Sequence, residues 1–146
     1  MKENNPHINR DNVRVERQGE VMDEIERAGI CPFCPEYLNE YHKEEILRKG
    51  AHWLITRNQW PYENTSLHLL AIATYHAETI ADLKKGSFDE LQDHMAWAEK
   101  EFDVTEGVIA LRFGASSSAT VHHLHAHLIV PSGDLPEGGH IRFKIK

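Results

Sequence analysis

The chain has 146 residues, of which 40% are apolar and 27% charged, the proportions of one ordinary globular domain. A net charge of −7 excludes a long nucleic acid as the main partner, because such binding needs a basic surface. A small anionic ligand stays possible if positive groups gather locally. No apolar run reaches the length of a membrane span, and the polar start at Met1–Arg10 has no signal-peptide core, so the expected location is cytoplasmic, with no membrane partner.

Residues 1–18 are polar and charged and read as a flexible N-terminal tail, leaving 19–146 as the folded domain. Val21, Met22, Ile25 and Ala28 repeat at helical spacing, and Gly29 stops that helix. Strands are expected at Ile46–Lys49 and His52–Arg57, the second broken by Asn58-Gln59-Trp60-Pro61. Leu67–Ala73 is apolar on both faces and reads as a central strand. Ala77–Lys85 predicts a short helix ended by Gly86. Ser87 and Glu90 form a capping-box pattern at the start of a long helix whose stripe is Phe88, Leu91, Met95, Ala98 and Phe102. Val108–Phe113 and Val121–Val130 complete five strands, separated by the small-residue loop Gly114–Ser118. Strands and helices come in blocks, not in strict alternation, which favours an α+β antiparallel sheet.

Eleven histidines are present, four of them within six residues: His122, His123, His125 and His127. In a strand, the three odd-numbered imidazoles project to one face while Leu124, Ala126 and Leu128 enter the core. His122 is the exception, facing the core side. A helix would turn His125 about 200° away from His123. A lone strand histidine is usually a satisfied or exposed residue. Three at period two, backed by an apolar face, point to a site. Neutral imidazole is a nucleophile near pH 7, and its neighbour can donate a proton. Three histidines can also hold a metal, and spacing alone leaves both readings open.

His123 to Ile129 resembles the signature of the histidine-triad (HIT) family of nucleotide hydrolases and transferases, three histidines alternating with apolar residues. Leu67–Ile72 with His76 resembles the family's Gly-His-Thr-Leu-Val-Ile-Pro-Lys-x-His segment, and Asn58-Gln59-Trp60-Pro61 its Asp-x-x-Pro turn. The resemblance spans roughly residues 30–133. It implies that His125 is the nucleophile and that His127 orients phosphate or assists proton transfer. It places the ribose hydroxyls at Asn58, without the usual carboxylate charge. Related uridylyltransferases carry Gln in place of the third histidine, so His127 sets this chain nearer the hydrolase branches.

Two departures stand out. Arg112 occupies the place of a usual Asn, and Ser118-Ala119-Thr120 that of a Gly-Gln-Ser/Thr segment. Thr120 keeps a hydroxyl for phosphate, and the loop through Ser118 can offer backbone N–H groups. Arg112 either adds phosphate-binding charge or points to solvent from a strand edge. The lost Gln affects which leaving group is accepted.

Cys31-Pro-Phe-Cys34 admits three readings. It resembles a glutaredoxin redox motif, but the flanking pattern is not a βαβ unit. It can be a neutral thiol pair. It can also be half of a tetrahedral zinc site. The HIT resemblance supplies the other two ligands, His76 and His123, and so implies a structural zinc. His68 is the rival to His76 but reads as a buried, hydrogen-bonded strand residue. Trp53, Trp60 and Trp97 read as core or dimer residues.

The resemblance thus implies a HIT-like five-stranded antiparallel sheet with two main helices, and a homodimer. The activity expected is hydrolysis or transfer at the α-phosphate of a small nucleotide substrate, a purine one, as a phosphoramidate or dinucleoside polyphosphate, releasing a nucleoside monophosphate. The competing classes are a non-catalytic, zinc-stabilised nucleotide-binding module and a thiol oxidoreductase.

Overall fold

The computed structural model describes residues 5–8, 16–114 and 120–145. Five strands, β1 (Ile46–Lys49), β2 (Trp53–Arg57), β3 (Thr65–Ala73), β4 (Val108–Leu111) and β5 (His125–Pro131), form one sheet in the order β1-β2-β3-β5-β4, with every neighbouring pair antiparallel. Helix α1 (Glu16–Ala28), the one-turn helix α2 (Leu38–Tyr41) and helix α3 (Ser87–Glu101) complete the α+β arrangement expected from the sequence. No helix among the described residues is long and apolar enough to cross a membrane.

The central strands are apolar on both faces because each face is covered. Leu67, Leu69 and Ala71 of β3 and Leu124, Ala126 and Leu128 beside them pack with Leu91, Met95 and Ala98 of α3. The alternate residues Leu70 and Ile72 turn to the other face, against Leu54 and Leu38. His125, His127 and His68 share that second face through the register, in which His127 lies opposite Leu70 and His125 opposite Ile72.

Several local expectations change. The fifth strand begins at His125, so His122 to Leu124 form a bend ahead of it. Residues 77–85 make only a single 3-10 turn at Ile80–Asp82. The Asp82 carboxylate accepts the N–H groups of Glu78 and Thr79, which closes a local turn, and exposed Ile80 offers no apolar face to pay for a longer helix. Ser87 is the first residue of α3 and is buried; Gly86 caps it in the left-handed region at φ 89°. Phe88 leaves the expected stripe and is 52% exposed, while His94 is buried in its place. Residues 5–8 of the expected tail are docked on the body. The Asn5 amide donates to the carbonyls of Ile25 and Ile30 at 3.0 and 2.8 Å, and Ile8 bridges Val121.

Glu90, read from sequence as a helix cap, serves the sheet instead. Its carboxylate accepts the backbone N–H groups of Ala51, His52 and Trp53 at 2.7, 2.8 and 2.7 Å, pinning the β1–β2 turn to α3. A side chain at Gly50 would meet this carboxyl at 2.6 Å and push it off the three N–H groups it accepts.

Candidate active site and metal centre

On the second face of the sheet lies a cavity of about 780 Å³, within the range of small-molecule sites. Its wall is built from α1, the loop after β2, β5 and the segment 141–144. His125 and His127 reach it from alternate positions of β5, as strand geometry requires.

His125 donates its Nδ1–H to the carbonyl of His123 at 2.7 Å. That bond leaves the lone pair on Nε2. Burial pushes its pKa down to about 4, against a small opposing effect from that hydrogen bond, so the ring is neutral at pH 7. The edge of Phe33 packs on it with ring centres 5.1 Å apart.

His127 is buried, and its Nδ1 lies 2.8 Å from Nε2 of buried His68. The backbone N–H of Tyr62 donates to His68 Nδ1 at 3.1 Å. A neutral His68 therefore carries its proton on Nε2 and donates it to His127 Nδ1. His127 then holds its own proton on Nε2. The Asn58 amide nitrogen lies 3.2 Å from the same His68 Nε2; the shorter contact, to His127, is the one the His68 proton makes. His68 thus has the buried hydrogen-bonding place its strand position predicts.

Asn58 lines the cavity, but its Oδ1 already accepts the N–H of Trp60 at 2.8 Å, which turns the NH2 group toward His68. Arg112 does not point away to solvent. It lines the cavity, donates to the Lys144 carbonyl at 3.0 and 3.3 Å and to the Tyr62 hydroxyl at 3.3 Å, and stacks on Phe143 at 3.7 Å. Thr120 is in the wall, and Ser118 lies outside the described residues. Trp60 belongs to the cavity wall too, not to the core. Sequence reasoning missed Gln18 and Val21 of α1, His42, and Phe143 near the C-terminus. Nothing in their local patterns marks them, since only folding brings them to the triad.

His123 leaves the cavity and faces Cys31, Cys34 and His76. One ligand atom from each of these four residues lies within 4.8 Å of the others. Cys31 Sγ and Cys34 Sγ are 3.4 and 3.7 Å from His123 Nδ1, and Cys34 Sγ is 3.3 Å from His76 Nδ1. A tetrahedral ion with sulfur at about 2.3 Å and nitrogen at about 2.0 Å holds its ligands about 3.3–3.8 Å apart, so the cluster has the right dimensions. His123 Nε2–H donates to the Ala73 carbonyl at 2.8 Å, aiming Nδ1 at the thiols in the way that second-layer contacts orient metal-binding imidazoles. Burial pushes the Cys34 thiol up to about 12 and raises Cys31 as well. Redox cysteines are tuned in the opposite direction, whereas a bound cation restores both thiolates.

A five-stranded antiparallel sheet carrying this arrangement of histidines at β5 defines the histidine-triad class of proteins. The sequence belongs within it to the family described as the scavenger mRNA decapping enzyme C-terminal binding domain, whose model matches residues 31–142. No curated protein sequence gives a significant match. Solved structures share the fold. One is a HIT family hydrolase from Clostridium thermocellum, at 20% identity and TM-score 0.55, covering 73% of this chain and 93% of that one. Another is a zinc-bound histidine-triad protein from Mycobacterium smegmatis, at 21% identity and TM-score 0.56, covering 80% and 82%. A third is a diadenosine triphosphate hydrolase from Plasmodium falciparum, at 22% identity and TM-score 0.53, covering 63% and 64%.

Proposed function

We propose that this chain hydrolyses or transfers a nucleotide at its α-phosphate through a nucleotidyl-histidine on His125. The observation that carries the reading is the bond from His125 Nδ1–H to the His123 carbonyl in the bend ahead of β5, which leaves a neutral Nε2 lone pair at the cavity. Nε2 attacks phosphorus, a P–N bond forms, and the bond from phosphorus to the leaving group breaks. His127, protonated on Nε2 through its contact with His68, gives that proton to the departing oxygen or nitrogen. Water then attacks phosphorus, the P–N bond breaks, a proton returns to His127, and a nucleoside monophosphate leaves. Phosphoramidates and dinucleoside polyphosphates carry suitable leaving groups. Arg112 and Thr120, in the cavity wall, supply charge and a neutral donor for phosphate oxygens, and the Asn58 amide serves the ribose; Ser118, outside the described residues, keeps the donor role its sequence position suggests.

The four-residue cluster is assigned to a structural zinc held by Cys31, Cys34, His76 and His123. Bound there, the ion supplies no step of the reaction; it ties the 31–34 turn to the approach of β5. The assembly proposed is a homodimer formed at β4, an edge strand with Val108 and Ile109 exposed at 58% and 55%. Sedimentation gives twice the monomer mass if this holds. The test of function is incubation with phosphate-labelled phosphoramidate and dinucleoside polyphosphate. Label on His125 and released monophosphate are expected. No label and no monophosphate from either substrate overturns the enzyme reading in favour of a nucleotide-binding module.

A further inference from the structure

His42 lies outside the triad, far from it in sequence, yet its ring forms part of the same cavity wall. It is 7% exposed, and its Nε2 sits 2.7 Å from the Thr56 hydroxyl oxygen. Thr56 has one proton, and it donates that proton to the Glu45 carbonyl at 2.8 Å. The hydroxyl must therefore accept from His42, which places the His42 proton on Nε2. Nδ1 is left as a bare acceptor, with no hydrogen-bond partner among the described residues. Burial holds the ring neutral, with its pKa pushed down to about 4. With Nε2 held on Thr56, Nδ1 is the ring nitrogen free to bond a ligand in the cavity that His42 lines.

The register places the Thr56 anchor of this imidazole relative to the reacting histidines. Thr56 pairs with Leu70, and Leu70 pairs with His127, all on one face. Thr56, which holds His42, is thus two strand spacings, about 10 Å, from the His127 position, and the Phe33 ring lies 6.5 Å from His42 and 5.1 Å from His125. A mononucleotide bridges such a span from its phosphate to its base. The surroundings of His42 suit a planar ring: Phe33 meets it edge-on with centres 6.5 Å apart, and Leu70 and Tyr41 share the wall.

We propose that His42, locked by Thr56 as an acceptor-only imidazole, reads the nucleobase by accepting a hydrogen bond from an exocyclic amino group. The inference rests on the nucleotide reading of the cavity and names the base that cavity selects. A 6-aminopurine satisfies Nδ1. A purine without the amine leaves it buried and unpaired beneath the ligand, a loss of about one neutral hydrogen bond.

Calorimetric titration of the full chain with AMP and with purine riboside 5′-monophosphate, the same nucleotide without the amine, tests this. AMP should bind about tenfold more tightly. In His42→Leu the ratio should fall to within about twofold, by loss of AMP affinity alone. Thr56→Val keeps the imidazole but frees its tautomer, and should shrink the ratio even if His42→Leu fails to fold. Equal affinities in the native chain, or a ratio that survives both substitutions, overturn the inference. Equal binding accompanied by label on His125 removes only the role of His42. Failure of both nucleotides to bind, with no label on His125, removes the nucleotide reading as well.

Discussion

The two faces of the sheet are made by alternate residues of the same strands, yet they obey different rules. On the α3 face, Leu67, Leu69, Ala71, Ala126 and Leu128 are apolar without interruption, and packing alone holds them. On the cavity face, His42, Thr56, His68 and His127 are buried among Leu54, Leu70 and Ile72. Each of those imidazoles has a ring nitrogen engaged by a defined partner: Thr56 for His42, the Tyr62 N–H for His68, His68 for His127. Burying a polar group is costly without such a partner, and a neutral ring avoids the larger cost of a buried charge. One face therefore supplies stability, and the other uses part of it to fix tautomers.

The sharpest separation of the two comes from His125→Ala. Turnover should fall by about a thousandfold or more while melting changes little, read by steady-state rates and calorimetry. Melting that collapses with activity would mean that the cavity face is structural after all. Cys34→Ser should reduce zinc from about one ion per chain to near none and lower the melting temperature together, checked by elemental analysis and thermal scans. Unchanged melting of metal-free protein would refute the zinc clamp. On the opposite face, Leu69→Ala should cost about 2–5 kcal/mol in denaturant titration and leave the activity of the folded protein near native.

The smallest effect concerns pH. The folded pKa of His42 is about 4 against an ordinary value of 6.5. Above pH 6.5 the ring is neutral in both states and the stability is complete. As pH falls from 6.5 toward 4, the unfolded chain takes up a proton that the folded chain refuses. Stability then drops by up to about 1.4 kcal/mol per pH unit for this one group. His42→Leu should flatten the melting-temperature profile in that window by one proton's share and leave it unchanged above pH 7.

Periodicity, turn residues and motif spacing made much of this protein legible in advance. The β3 apolar run, the alternation from Leu124 to Ile129, Gly29 as a helix stop and the Cys31–Cys34 pair all act over a few residues. Backbone geometry alone then decides which side chains share a face. Tertiary structure decided the rest, because those outcomes depend on groups distant in the chain. Glu90 could not be seen to leave its helix cap for the β1–β2 turn, since the three N–H groups that claim it lie 37 to 39 residues away. Asn58 lost part of its free hydrogen-bonding capacity to Trp60, and Arg112 was drawn to the Lys144 carbonyl 32 residues on. The tautomers of His68 and His42, on which the proposed chemistry and base recognition depend, are set by donors and acceptors that meet only when strands pair and loops close over them. Hydrogen bonds are directional and short-ranged, so no sequence pattern could assign those protons before the fold brought their partners together.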